Sequence, residues 1–202
     1  IDVRLSSMLI NLLDKCFYDK MKKVFAPINP DELKKMRKNY TERLSKNLRF
    51  KTAELDNTKS AAYEMAHKTG LLRMLDSASF KVFGENVTGK KFGEKENNQV
   101  ICYEAGDYVS PHNDHHPEND NVKNGYYDIH IMLSNRQVKH QLLVCENKRY
   151  LNAYYDIAVP AAVAVYRLPF WHYTTPLIPK AGRENQARRW LLLGSFEERK
   201  NI

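Results

Sequence analysis

The stretch QVICYEAGDYVSPHNDHHP, residues 99–117, joins a β-rich run to a cluster of potential metal ligands. Three of the chain's seven histidines lie within residues 112–116, with Asp114 among them. The apolar start of the stretch predicts a strand, and Pro111 interrupts its hydrogen-bond ladder. In extended geometry, residues two apart point to the same side, so His112 and Asp114 can share one ion.

Two kinds of periodicity divide the chain around this stretch. Up to about residue 88 the apolar spacing predicts helices over residues 3–25, from a cap at Asn29, over 58–75, and through Phe80 to Thr88. From about residue 98 onward the pattern changes to short β-rich runs: QVICYEA, YYDIHIMLSN, KHQLLVCE, DIAVPAAVAVYRL and RRWLLLGSF. The order predicts an α+β fold in a single domain of residues 1–202, with 1–97 as mainly helical support and 98–202 as the β core.

Composition restricts the class of protein. Of the 202 residues, 43% are hydrophobic, which indicates a globular chain with one compact core. The three cysteines are widely spaced and form no C-x-x-C pair, so we expect buried free thiols and a cytoplasmic location. No apolar run approaches the roughly 20 residues of a membrane span, so no membrane partner is expected.

The net charge of +8 attracts anions of any kind, nucleic acid included. Much of the excess lies before residue 60, where lysines alternate with acidic and apolar residues at helical spacing. A solvated helical face is therefore the simpler interpretation of this charge.

A third metal ligand is available far along the chain. His172 follows the apolar run IAVPAAVAVYRL, and together with His112 and Asp114 it would complete a face of two histidines and one carboxylate. Non-haem Fe(II) uses this ligand set because it leaves positions open for a bidentate 2-oxo acid and for O₂. Arg188 and Arg189 open the last predicted strand, where a guanidinium can hold the far carboxylate of such an acid.

Other histidines near these ligands have simpler explanations. His115 and His116 lack a fourth ligand at zinc-finger spacing, so we interpret them as loop residues at the mouth of the site. His130 alternates with isoleucines and is expected to be a hydrogen-bonded sheet residue. The segment 111–126 holds several turn-forming residues and is predicted to be a mobile lid.

The sequence over residues 98–197 resembles the 2-oxoglutarate/Fe(II)-dependent dioxygenases, and most of all their prolyl-hydroxylase-like branch. The similarity consists of Cys102-Tyr103 leading through a glycine turn to His112-x-Asp114, of a proline four residues after His172, and of Arg189-Trp190 at the start of the last strand. The resemblance implies a double-stranded β-helix, or jelly roll, supported by N-terminal helices. It also implies the cofactors Fe(II), 2-oxoglutarate and O₂.

The resemblance further assigns roles to residues. His112, Asp114 and His172 become the iron ligands, and Arg189 becomes the anchor of 2-oxoglutarate. Arg188, or less readily Arg183, is the alternative anchor because the preceding loop is longer than is usual in the family. Tyr103 would hydrogen-bond the co-substrate carboxylate, with a core tyrosine as the alternative.

The implied activity is hydroxylation of a C–H bond in a small molecule or a protein side chain. An alternative is demethylation of alkylated nucleic acid, although the last strand lacks the Asn and second Arg that such repair enzymes carry after the anchor. A second alternative is a metal-binding barrel without turnover. The glycine pair that follows the corresponding strand in many prolyl hydroxylases is absent here, where Asn135-Arg136-Gln137 stands instead.

Overall fold

A computed structural model describes residues 2–26, 47–114, 116, 119–120, 122, 125–146 and 153–199. The helix expected from Asn29 lies outside these residues, as do residues 115, 117, 118, 121, 123 and 124 of the expected lid. The described helices are α1 (Val3–Cys16), α2 (Ala61–Lys68), α3 (Leu71–Leu75) and α4 (Ala78–Thr88). The described strands are β1 (Lys22–Ala26), β2 (Leu48–Glu54), β3 (Phe92–Tyr103), β4 (Tyr108–His112), β5 (Tyr126–Ser134), β6 (Val138–His140), β7 (Leu142–Cys145), β8 (Ala153–Asp156), β9 (Ala162–Leu168), β10 (His172–Thr174), β11 (Ile178–Pro179) and β12 (Arg189–Glu198).

The strands form one curled antiparallel sheet in the order β8-β7-β10-β4-β2-β3-β12-β5-β9. Strand β1 pairs with β2, and β6 and β11 form a separate short ribbon. Strand β2 pairs with both β3 and β4, so it joins the two halves of the sheet around a central pocket. This arrangement confirms the expected α+β class with a jelly-roll sheet and supporting helices.

Alternation along β12 separates the pocket from the helix-covered core. Arg189, Leu191 and Leu193 line the pocket, whereas Trp190 and Leu192 face the cluster that contains the buried side chains of α1 and α3. The Trp190 indole donates a hydrogen bond to the Asp14 carboxylate of α1 at 3.1 Å, so a helix is fixed directly on the back of this strand. Successive side chains of a strand point to opposite faces, which is why one strand serves both layers.

Helix boundaries follow local capping chemistry. The side chains of Asp2, Ser60 and Ser77 accept hydrogen bonds from backbone N–H groups at the starts of α1, α2 and α4. Gly70, at φ 77°, divides the expected helix 58–75 into α2 and α3 because the left-handed conformation interrupts the helix. Gly89, at φ 67°, ends α4 close to the predicted position.

Three expectations for the first 97 residues are wrong. The first helix ends at Cys16, and residues 22–26 form β1 because they pair along β2, with Lys22 opposite Thr52. Residues 48–54 form a central strand, although their sequence was not among the β-rich runs. Strand β3 also begins at Phe92, six residues before the predicted change of pattern.

The three cysteines are free, as expected, but only Cys102 is fully buried, and Cys16 and Cys145 are half-buried. Among the described residues, no helix has the length and apolar character needed to cross a bilayer. The cytoplasmic location stays a prediction.

Candidate metal centre

Pairing of β4 with β10 brings two distant histidines together. His172, the first residue of β10, lies opposite His112, the last residue of β4, and the centroids of their rings are 4.3 Å apart. One oxygen of Asp114 lies 3.2 Å from Nε2 of His112 and 3.5 Å from Nε2 of His172. One potential ligand atom from each residue therefore falls within 4.8 Å of the other two.

Backbone carbonyl groups fix both imidazoles with Nε2 toward the centre. Nδ1 of His112 lies 2.6 Å from the carbonyl oxygen of Ser110, and Nδ1 of His172 lies 3.0 Å from that of Phe170. A carbonyl only accepts, so each Nδ1 carries the hydrogen and each Nε2 keeps a lone pair for a metal. Burial lowers the pKa of His172 to about 4, with a further contribution from His112, so the ring is neutral at pH 7.

Asp114 adopts a backbone conformation that few side chains tolerate. Its φ is 51°, and among the described residues other than glycine it alone has a positive φ. Aspartate and asparagine enter this left-handed region more readily than most residues. The Tyr126 hydroxyl donates to the Asp114 carbonyl oxygen at 3.2 Å and helps to hold this turn. The turn directs the carboxylate back toward the two histidines.

The three ligands line a cavity of about 700 Å³, a size suited to a small organic ligand. Its walls are the concave faces of β3, β5 and β12, with Tyr166 of β9 and Leu48 and Phe50 of β2. Ile101, Met132 and Leu191 stand opposite one another across three strands and form an apolar wall. Such a wall limits the water that reaches the ligands.

Arg189 enters the same cavity although it is only 1% exposed. Its guanidinium lies over the Tyr103 ring at 4.0 Å, and its Nε donates to Oε1 of Gln141 at 2.6 Å. Its Nη2 is buried without a hydrogen-bond partner among the described residues. A buried guanidinium with an unused donor is complementary to a carboxylate ligand, because a buried charge is otherwise left unpaired.

Tyr103 lies beneath this guanidinium and opposite Arg189 in the sheet. It is 3% exposed, and burial raises the pKa of its phenol, so the hydroxyl stays protonated. That hydroxyl is close to the side chains of Thr174 and Arg189. The geometry permits a contact with a ligand bound at Arg189, and the expected role of Tyr103 stays a prediction.

The alternative anchors lie outside the cavity. Arg188 faces α1, where its guanidinium lies 4.2 Å from the centre of the Tyr18 ring and its Nε lies 3.9 Å from Asp14. Arg183 is exposed in the loop before β12 and reaches Gln186. The structure therefore brings Arg189, and neither alternative, into the cavity of the candidate metal ligands.

The remaining histidines differ in position. His116 lines the cavity near Tyr126, with their rings 6.1 Å apart, and His115 lies outside the described residues. His130 is a sheet residue hydrogen-bonded to Tyr166, and it also lines the cavity. It is not among the three residues that converge as ligands.

Gln141 is a site residue that sequence reasoning missed. It is fully buried between β6 and β7, and its Nε2 donates to the carbonyl oxygens of Asp107 and Thr175 at 3.2 and 2.9 Å. Both amide hydrogens are therefore committed, and Oε1 has to face Arg189. The signal in the sequence is a polar residue inside the apolar run HQLLVC.

Comparison with known proteins supports the fold. No protein-family model matches the sequence, and no curated protein matches it. The structure is similar to that of an oxidoreductase of the 2OG-Fe(II) oxygenase family from Burkholderia pseudomallei, with a TM-score of 0.54 and 11% identity over 96% of this chain and 92% of that chain. It is also similar to the non-heme alpha ketoglutarate dependent carbocyclase SnoK from nogalamycin biosynthesis, with a TM-score of 0.56 and 6% identity over 98% of this chain and 76% of that chain.

The chain thus has the fold of the 2OG-Fe(II) oxygenases, which is the superfamily that its motifs resemble. A prolyl-4-hydroxylase from Pseudomonas putida aligns with a TM-score of 0.41 and 12% identity over 96% of this chain and 100% of that chain. The assignment to the prolyl-hydroxylase-like branch rests on the sequence motifs.

Proposed function

We propose that the protein is an Fe(II)- and 2-oxoglutarate-dependent oxygenase that hydroxylates a C–H bond of a small molecule or a protein side chain. One observation carries the proposal. A single cavity contains three convergent ligand atoms suited to Fe(II) and a buried guanidinium suited to a carboxylate. Together these groups match a co-substrate that binds a metal at one end and presents a carboxylate at the other.

His112, Asp114 and His172 would hold the iron on one face, as neutral imidazole and carboxylate ligands, and leave the cavity side open. When bound, Fe(II) together with 2-oxoglutarate and O₂ supplies the oxidising power for hydroxylation, with succinate and CO₂ as the other products. The three protein ligands take no part as acids or bases.

The rest of the cavity would orient the co-substrate. Arg189 would pair with the far carboxylate through Nη2, and Gln141 would keep the guanidinium in that orientation. Tyr103 supports the guanidinium from below. The apolar wall of Ile101, Met132 and Leu191 would keep water from the reacting centre, which favours productive oxidation of the substrate.

The charge of the cavity favours this proposal over action on nucleic acid. Among its described lining residues, three carboxylates (Glu96, Asp114, Asp128) stand against one guanidinium, which gives a formal charge of −2 with neutral histidines. A phosphate backbone is repelled by such a lining, although the protein as a whole carries +8. The partnerless donor of Arg189 argues against a barrel that only stores a metal.

Release of labelled CO₂ from 2-oxoglutarate tests the proposal. The purified protein with Fe(II) and O₂ is expected to release CO₂ slowly alone and faster when a true substrate is added. The His172→Ala variant, which lacks a ligand, is expected to release none. Release that is absent from the wild type under all conditions, or that is equal in His172→Ala, would contradict the proposal.

A further inference from the structure

The cavity wall away from Arg189 carries a second buried charge that the proposed reaction does not use. Asp128 of β5 is 5% exposed and lines the cavity. It stands opposite Ser195 of β12, six residues along that strand from Arg189, which corresponds to roughly 20 Å. A co-substrate held by Arg189 and the metal would therefore not reach Asp128, which is left to contact the substrate.

Two side chains contact the Asp128 carboxylate. The Ser195 hydroxyl donates a hydrogen bond to Oδ1 at 2.6 Å, and Nε2 of His130 lies 3.4 Å from Oδ2. The Tyr166 hydroxyl is hydrogen-bonded to Nδ1 of His130. Nδ1 of His130 faces the Tyr166 hydroxyl, and Nε2 faces the carboxylate. The hydrogen bond from Ser195 uses one of about four acceptor positions of the carboxylate.

No lysine or arginine of the described chain forms an ion pair with Asp128. Lys95 interacts electrostatically with Asp128, but its ammonium donates to the Leu75 carbonyl oxygen at 3.1 Å and lies over the Phe196 ring, on the helix-covered side of the sheet. Inside the cavity, the described lining offers no cation other than Arg189. A carboxylate this deeply buried is expected to be paired with a cation when the site is filled, since an unpaired buried charge is costly.

The position of Asp128 is suitable for substrate binding. Asp128 is paired across the sheet with Tyr166, whose ring centroid lies 6.0 Å from that of the metal-ligand candidate His172. Asp128 and the proposed metal ligands line one cavity, so a substrate held at Asp128 would share that cavity with the iron. Glu96, on the same wall, adds a second negative charge. Binding of a divalent iron ion and of a dicarboxylate would not change the formal charge of the cavity, because their charges cancel.

We propose that Asp128 binds a cationic nitrogen of the substrate, an ammonium or a guanidinium, and so selects an amine- or guanidine-bearing compound or a basic side chain. This inference rests on the proposed function, which identifies the cavity as the substrate site. Ser195 and His130 are positioning residues that hold the carboxylate in place. The negative cavity within a positively charged protein would attract such cations and disfavour anionic substrates.

Binding of matched probes tests the inference without turnover. Butylguanidinium, its nearly isosteric neutral analogue butylurea, and butyrate are titrated calorimetrically into Zn²⁺-loaded protein, with and without 2-oxoglutarate. The wild type is expected to bind butylguanidinium at least about tenfold more tightly than butylurea, the size of one charge-assisted hydrogen bond, and to show no binding of butyrate once 2-oxoglutarate occupies the metal and Arg189. A capped tripeptide with a central arginine distinguishes a protein side chain from a small molecule: tighter binding of the peptide supports the first, and weaker binding the second.

One variant and a control complete the test. Asp128→Asn is expected to remove the preference for the cation, and thermal unfolding checks that this variant is folded. Asp156→Asn alters a half-exposed carboxylate of β8 outside the cavity and should leave the preference unchanged. Equal binding of butylurea and butylguanidinium by the wild type, or an unchanged preference in Asp128→Asn, would overturn the inference. Failure of 2-oxoglutarate to bind would instead contradict the proposed function, and the titrations without it would still decide the role of Asp128.

Discussion

The pair Arg188 and Arg189 offers a sharp test because the two residues are neighbours with opposite environments. Arg189 is 1% exposed inside the cavity with Nη2 unpartnered, whereas Arg188 lies against Tyr18 and α1. Replacing Arg189 by Met keeps an unbranched stem over Tyr103 and removes the charge. Replacing Arg188 by Met is the matched control on the other face of the same strand.

The magnitude follows from the contact that is lost. A charge-assisted hydrogen bond in a buried site contributes about 1.5–3 kcal/mol, which corresponds to roughly a 10- to 150-fold weaker affinity for 2-oxoglutarate. Arg189→Met should show this loss in both the dissociation constant and the Michaelis constant for the co-substrate. Arg188→Met should change either constant by less than about threefold.

Calorimetric titration of 2-oxoglutarate into Zn²⁺-loaded protein measures the dissociation constants directly. Thermal unfolding of the ligand-free variants provides the structural control. Removal of an unpaired buried charge can stabilise a protein, whereas Oε1 of Gln141 is left without its donor, so we expect only a small net change in stability. A large loss of affinity in Arg188→Met with none in Arg189→Met would refute the assignment.

Three further predictions concern the same cavity. Gln141→Leu should raise the Michaelis constant for 2-oxoglutarate about three- to tenfold at nearly constant kcat, because Arg189 loses its orientation; an altered kcat with a normal Michaelis constant would contradict this role. Asp114→Asn should abolish tight Fe(II) binding yet leave the fold intact, since asparagine also tolerates a φ of 51°, and circular dichroism with metal analysis checks both. The pKa of His172 is lowered from 6.5 to about 4, so between these pH values the unfolded metal-free chain binds a proton that the folded chain does not. The free energy of unfolding should therefore fall by roughly 3 kcal/mol at most as the pH falls from 6.5 to 4. Urea unfolding at each pH measures this loss, which should be smaller in His172→Asn.

The metal ligands could be predicted from the sequence because their geometry is local. His112 and Asp114 are two residues apart in the sequence, and a third ligand only required a histidine that begins another strand. The extended geometry expected for the pair ends at His112, and the left-handed turn at Asp114, rather than strand alternation, directs its carboxylate to the histidines. The inward position of Arg189 depends on which face of β12 points into the cavity. Both faces of that strand are apolar, so the sequence alone does not decide between them. The structure resolves the phase, because Trp190 contacts α1 and Arg189 therefore points inward.

Features that depend on distant pairing could not be predicted. Residues 48–54 alternate apolar and charged side chains over only four positions, which is too short a run to identify a strand, and they become one because β3 and β4 supply partners on both sides. Gln141 acts on Arg189 across 48 residues of sequence. The chain from Ser195 through Asp128 and His130 to Tyr166 crosses three neighbouring strands, an order that strand propensity alone does not give.

Anaerobic titration of Fe(II) into the metal-free protein, followed by 2-oxoglutarate, tests whether one cavity binds both the metal and the co-substrate. The wild type is expected to bind a single Fe(II) per chain tightly and then a single 2-oxoglutarate, whereas His172→Ala is expected to fold normally and to lose the tight iron site. Arg189→Met should retain the iron and lose affinity for 2-oxoglutarate, which separates the two halves of the site. Tight Fe(II) binding that persists unchanged in His172→Ala, or 2-oxoglutarate binding that does not depend on the metal or on Arg189, would contradict the account.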